Sequence, residues 1–234
     1  MHPTQLFIGT IRKLPQSGRP TGIYKQAVST TVDIGELGFS GDQQADLRVH
    51  GGPEKAVHLY PAAHYLRLAA AFPDAAPLLQ AGSLGENISV ATLDESMVHI
   101  GQRFALGSAI LQLCQPRNPC WKIDERFAAD GMAAFIAEHG LTGWYFRVCQ
   151  PGTADNGDAL HPLDLPPGAP TLQAAMQCWQ AHRPAVAELE QLAATPGIAA
   201  HWQAKITQRA AWLRAHPASH PAPVTTYHVK PATD

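Results

Sequence analysis

Across the first 165 residues, apolar positions come in short runs broken by glycine and proline. Leu6 to Ile11 is one such run, ended by Pro15, Gly18 and Pro20. Ala27 to Val32 is another, rich in β-branched residues. Val98 to Ile100, Arg103 to Leu106 and Ala109 to Gln115 are separated by the turn pairs Gly101-Gln102 and Gly107-Ser108, the pattern of a hairpin or meander. In the last of these, Ala109, Leu111, Leu113 and Gln115 fall on one face, and Ile110, Gln112 and Cys114 on the other. Gly143 to Cys149 alternates again, with Trp144, Phe146 and Val148 opposite Tyr145, Arg147 and Cys149. Many short strands with frequent turns predict a mainly β barrel or sandwich.

Two stretches switch to helical spacing. Ala62 to Phe72 carries Tyr65, Leu66, Leu68 and Ala69 and stops before Pro73. Asp124 to His139 carries Phe127, Met132, Phe135 and Ile136 and ends at Gly140. After Leu160 the pattern changes. "LHPLDLPPGAP" reads as a linker. Three helical stretches follow, Thr171 to His182, Pro184 to Ala194 and Ile198 to His216, with Thr171 placed to cap the first. The expected organisation is a β domain over residues 1–165 and a three-helix appendage over 171–216. The Pro-, Thr- and Ala-rich tail 217–234 is expected to be disordered.

Composition narrows the function. Apolar residues make up 45% of the 234 and charged residues 15%, enough for a core without disulfides. A net charge of -2 offers no global field for a polyanion, so a nucleic acid polymer is not expected as partner. No apolar run reaches the ~18 residues of a membrane span, and the polar start lacks a signal-peptide core. The expectation is a cytoplasmic protein with its four cysteines reduced.

Three stretches carry candidate chemistry. "GDQQADLRVHGGPEKAVHLYP" (residues 41–61) packs Asp42, Asp46, Arg48, His50, Glu54 and Lys55 around Gly51-Gly52-Pro53. Such a glycine pair lets backbone N–H groups approach an anion, and Arg48, His50 and Lys55 would complete a phosphate pocket. "GENIS" (residues 85–89) is a turn able to offer an amide and a carboxylate, a weak signal alone. In "QPRNPCWK" (residues 115–122) Pro116 and Pro119 hold the chain extended. Arg117 and Lys122 flank Cys120 and favour its thiolate. Cys114, Cys149 and Cys178 read as small packing residues. For Cys120, a disulfide is disfavoured by compartment. A zinc site with His50, His58 or His64 lacks a recognisable spacing, and a Cys–His nucleophile lacks a hydrolase signature. A soft metal whose other ligands come from a cofactor remains as a further reading.

Taken together the stretches resemble the MOSC domain family, in particular its stand-alone bacterial branch of the 6-N-hydroxylaminopurine resistance type. The matching blocks are Gly41 to Val57, Gly85 to Asn87, Gln115 to Lys122, Thr142 to Val148 and the early Gly-Ile-x-Lys segment ending at Lys25. The resemblance spans most of residues 1–165, and the helical tail resembles the branch's small α-helical appendage. It departs at Gln102 and Ser108, where Asp is usual.

The resemblance implies a barrel-like fold, a pterin-bound molybdenum cofactor and Cys120 as the molybdenum ligand. It implies reduction of N-hydroxylated compounds, base analogues included, to amines, with electrons from an external reductase. In that frame Lys25, Arg48, Lys55, Arg117 and the Gly51-Gly52 pair are candidates for the cofactor's phosphate. Asn87 is a candidate for the pterin, and Arg147 for the phosphate end. His50 is the candidate proton donor, being titratable near neutrality. Asp42 and Asp46 are candidates for orienting the loop. Two other readings use the same residues: a non-catalytic cofactor carrier, and a persulfide sulfur-transfer protein acting through Cys120. A homodimer is a further expectation, and the appendage is a candidate contact for a second copy or the electron donor.

Overall fold

The computed structural model describes residues 2–47 and 49–216. The tail 217–234 and the candidate Arg48 lie outside the described residues. Along the chain come β1 (His2–Ile8), β2 (Arg12–Lys13), β3 (Pro20–Thr21), β4 (Gln26–Ala27), β5 (Val32–Gly35) and β6 (Gly38–Phe39). Next are β7 (Val57–Pro61), α1 (His64–Ala71), β8 (Ile88–Val90), β9 (Arg103–Leu106) and β10 (Ala109–Pro116). Then α2 (Lys122–Phe127), α3 (Met132–Glu138), β11 (Trp144–Gln150), β12 (Gly152–Ala154) and β13 (Ala159–Pro162) complete the β region. Three helices follow, α4 (Leu172–Gln180), α5 (Val186–Ala193) and α6 (Ala200–Ala215).

Seven strands close a mainly β barrel in the order β13-β9-β10-β11-β7-β8-β1, and β13 returns to pair with β1. Neighbours are antiparallel except β7 and β8, whose parallel pairing needs the α1 crossover between them. Alternation places Leu111, Leu113, Trp144, Phe146, Val57 and Leu59 in the buried interior cluster. A second cluster outside the barrel joins Tyr60, Tyr65, Leu68, Ile123, Phe127 and Ile136 under α1 to α3. Among the described residues no helix is long and apolar enough to cross a membrane.

Several local expectations change. The run Ala27 to Val32 is not one strand; β4 and β5 belong to different sheets with a break between them. The helix expected over Asp124 to His139 is two. Ala128 adopts a left-handed conformation (φ 49), and the Asp124 carboxylate turns back to accept from Gly131 N (3.2 Å) and Ala133 N (2.7 Å). That carboxylate starts α3 afresh by satisfying its open N–H groups. The supposed linker begins as structure, because Leu160, His161 and Pro162 form β13 and close the barrel. At the two departures the turns still hold. Gln102 Oε1 accepts from His99 N (3.1 Å), and Ser108 Oγ accepts from Thr153 N (2.8 Å).

Candidate functional site

A cavity of ≈ 80 Å³ lies against the outside of the barrel. Its floor follows from strand register. Trp144 and Phe146 point inward, so Tyr145 points out; Val57 and Leu59 point inward, so His58 points out. Register sets Tyr145 opposite His58, with ring centroids 5.3 Å apart. Cys120 forms part of the wall and is only 5% exposed. Arg117, three residues earlier, donates a hydrogen bond to the Tyr145 hydroxyl. Burial pushes the Tyr145 phenol above its ordinary pKa.

Asp42 fastens the segments around the cavity. Its Oδ1 accepts from Gly9 N (2.9 Å) and its Oδ2 from Lys25 Nζ (2.5 Å), Asn87 Nδ2 (3.0 Å) and Gln44 Nε2 (3.1 Å). Lys25 is buried, and desolvation lowers its pKa against the pull of Asp42. Asn87 Oδ1 accepts from His58 N (3.1 Å), and Asn87 Nδ2 also reaches Phe7 O (3.3 Å). The Asn87 amide is therefore engaged on the protein side and works as a positioning group. The neighbouring Glu86 turns away from the cavity. It accepts from Tyr65 Oη (2.5 Å), Gly82 N (2.6 Å) and Leu84 N (3.1 Å), so the turn presents no free carboxylate to a ligand.

His58 was absent from the candidate cofactor contacts, yet it lines the cavity. Burial first, then Arg117 and Lys25, holds its pKa well below the ordinary value, so the ring is neutral. The ring donates to the Gly85 carbonyl, and its buried Nε2 has no partner. A polar side chain inside the otherwise apolar run Val57–Pro61 was the available sequence signal. Tyr145 gave less signal, because an outward tyrosine is ordinary on a barrel strand.

The cavity has an excess of positive charge. Lys55 Nζ donates to Val49 O (2.5 Å) and Lys122 Nζ to Pro20 O (2.8 Å). Among the described residues neither these lysines nor Arg117 has a carboxylate within ion-pair distance. Asp42 is the lining carboxylate, and Lys25 neutralises it. His50 also lines the cavity, with its N–H bonded to Asp46 O (2.8 Å). Gly51 lines it at φ +123, where an added Cβ would fall 2.9 Å from Leu47 Cδ2; Gly52 adjoins but does not line it.

Arg147 is the candidate that the fold places elsewhere. It follows Tyr145 on the same strand face, but its guanidinium contacts Glu54 Oε1 (2.8 Å) and Ile198 O (3.3 Å). It binds the barrel to the appendage and does not line the cavity. Cys149 is exposed rather than packed, because it sits near the end of β11 beyond the cover of the core.

Among the described residues no three His, Cys, Asp or Glu side chains are grouped to hold a metal by themselves. A metal at Cys120 would need ligands from a bound group. The donor set suits one. Cations without carboxylate partners favour an anion, and the orphaned His58 Nε2 calls for an N–H or O–H donor from a ligand. The thiolate is a ligand for a soft metal.

Fold and site together define a closed β-barrel protein with an anion-favouring cavity lined by the buried thiol of Cys120. The family model described as MOSC domain matches residues 46–161. Protein YiiM of Escherichia coli (strain K12) is 40% identical over 164 residues, spanning 70% of this chain and 71% of that one. The chain belongs to the MOSC domain family, as its motifs suggested. The crystal structure of YiiM from Escherichia coli superposes with a TM-score of 0.76 at 26% identity, covering 95% of this chain and 98% of that one. A protein of Gibberella moniliformis (strain M3125 / FGSC 7600) named "Reductase" is 34% identical over 164 residues, which is 69% of this chain but 29% of that protein.

Proposed function

We propose that the cavity holds a molybdenum cofactor with Cys120 as the protein ligand to the metal, and that the protein reduces N-hydroxylated compounds to amines. The observation that carries this reading is one buried thiol sharing a cavity with unpaired cations and an orphaned acceptor. The association of MOSC domains with molybdenum cofactor binding supports it, and so does the name of the fungal relative.

When bound, the cofactor supplies a two-electron centre for cleaving an N–O bond, the substrate taking up two electrons and two protons and leaving as amine and water. Arg117 and the Gly51 backbone, both lining the cavity, would hold its phosphate. His58 Nε2, buried without a partner, would accept from a ring N–H. Lys25, Asp42 and Asn87 keep the wall in register. His50, which lines the cavity, is assigned the delivery of a proton. The chain carries no Gly-x-Gly-x-x-Gly nucleotide fingerprint after a strand, so the electrons are assigned to an external reductase. Persulfide transfer fits less well, because its sulfur must meet an acceptor and Cys120 is enclosed.

The test is purification from a cofactor-producing host, molybdenum quantification, and turnover of an N-hydroxylated substrate with an artificial electron donor. The parent should hold molybdenum and turn over. Cys120→Ala should fold, judged by circular dichroism, and lose both metal and activity. His50→Ala should keep the metal and lose about 10²-fold in turnover, the size of general-acid catalysis. Molybdenum retained with full turnover in Cys120→Ala overturns the assignment. Metal without turnover in the parent points instead to a carrier.

A further inference from the structure

A second and larger cavity, ≈ 200 Å³, lies between the barrel and helices α4 and α6. It shares His50, Lys55, Arg117 and Tyr145 with the first, so the two chambers meet at these side chains. Its far wall comes from the appendage. Met176 and Trp179 stand on α4, and Trp202 and Lys205 on α6. Arg209 lies over the Trp179 ring at 5.2 Å from its centroid and helps fix the indole.

The lining combines two chemistries. Two indoles and a thioether make a surface suited to a flat ring. Lys55, Lys205 and Arg117 add positive charge, and no Asp or Glu lines the chamber among the described residues. Lys205 is close enough to Lys55 to depress its pKa, after burial as the larger cause. Two cations brought together without a carboxylate between them repel, and an anion seated there removes the repulsion. Lys205 and His201 are exposed, so the charged side opens to solvent.

We propose that this chamber is the substrate subsite and that it takes an aromatic base carrying a phosphate, a nucleoside monophosphate, in preference to the free base. The ring lies against Trp179 and Trp202, the phosphate is held by Lys55 and Lys205, and the reactive nitrogen points toward His50 and the first cavity. Helices α4 and α6 of the appendage thereby acquire a role as the specificity wall. This rests on the reading of the first cavity as the redox site.

The test measures binding to the full chain, by calorimetry and tryptophan fluorescence. The protein is prepared from a cofactor-producing host and from a cofactor-deficient one. The probes are adenosine monophosphate, adenosine and inorganic phosphate. The monophosphate should bind at least about tenfold tighter than either of the others, the size of one charge-assisted hydrogen bond, with quenching of indole emission. Lys205→Glu, at an exposed position, should remove that preference and leave molybdenum content unchanged. Equal binding of the three probes, or an unaffected Lys205→Glu variant, overturns the proposal. So does loss of monophosphate binding on cofactor loading, which would give the chamber to the cofactor's own phosphate. A protein that binds the monophosphate but never acquires molybdenum would refute the redox reading alone.

Discussion

His58 carries a buried ring nitrogen without a hydrogen-bond partner, at a cost to stability. Its ring is desolvated and faces cations, so protonation is disfavoured in the folded state. The unfolded chain takes up this proton near the ordinary value of 6.5. Below that pH the unfolded state binds more protons, and stability falls as the pH falls toward the lower folded value. Above it the contribution is constant. His58→Gln should flatten this part of the stability–pH curve relative to the parent, measured by urea unfolding between pH 4.5 and 8. A parallel curve for the variant would show that the slope arises elsewhere.

The cysteines make a second residue-scale case. Cys114 donates to Glu54 O (3.1 Å) on the appendage side of β10, and burial pushes its thiol up to about 12. Cys149 is exposed and Cys178 half-buried. A short iodoacetamide pulse at pH 8 followed by peptide mapping should label Cys149 first and Cys114 only after denaturation, since the thiolate is the reactive form. The sequence distinguished Cys120 from the rest by its prolines and cations. It did not distinguish Cys149 from Cys114, because both occupy strands and only the cover over each strand differs.

At the scale of elements, the decisive contact is between the site loop and α6. Glu54 Oε1 accepts from Arg147 Nη2 and from Ala200 N (2.9 Å). It thereby caps a helix 146 positions away, while the adjoining Lys55 lines both chambers. Glu54→Ala should cost about 1–2 kcal/mol, a helix cap plus a discounted half-buried ion pair. Glu54→Gln, which keeps an acceptor, should cost less. Denaturant unfolding gives the magnitude, and faster hydrogen exchange in the first turn of α6 should identify the place. Helical periodicity located α4, α5 and α6 within a few residues. It missed the α2–α3 break, since a left-handed Ala128 leaves no mark in an apolar pattern.

At the scale of the molecule, the appendage and barrel share one apolar cluster, running from Leu111 and Cys114 to Met176, Trp202 and Ile206. A chain ending at Asp164 would keep β13 but uncover the outer face of β10 and the wall of the second chamber. It should bind 8-anilinonaphthalene-1-sulfonate and unfold at lower denaturant than the full chain, because apolar area returns to water. An unchanged midpoint would mean that the barrel stands alone.

Alternation of apolar positions sufficed for a mainly β domain followed by helices, because side-chain period follows from backbone geometry. The dense motif blocks likewise singled out Cys120, His50, Lys55 and Arg117, which the fold brings to one cavity. Only the tertiary structure decided which outward side chains met. Strand register paired His58 with Tyr145, Asp42 claimed Lys25 and Asn87, Glu54 drew Arg147 away from the cavity, and the helices added the second chamber. Those outcomes depend on contacts between segments far apart in the chain, which no local pattern encodes.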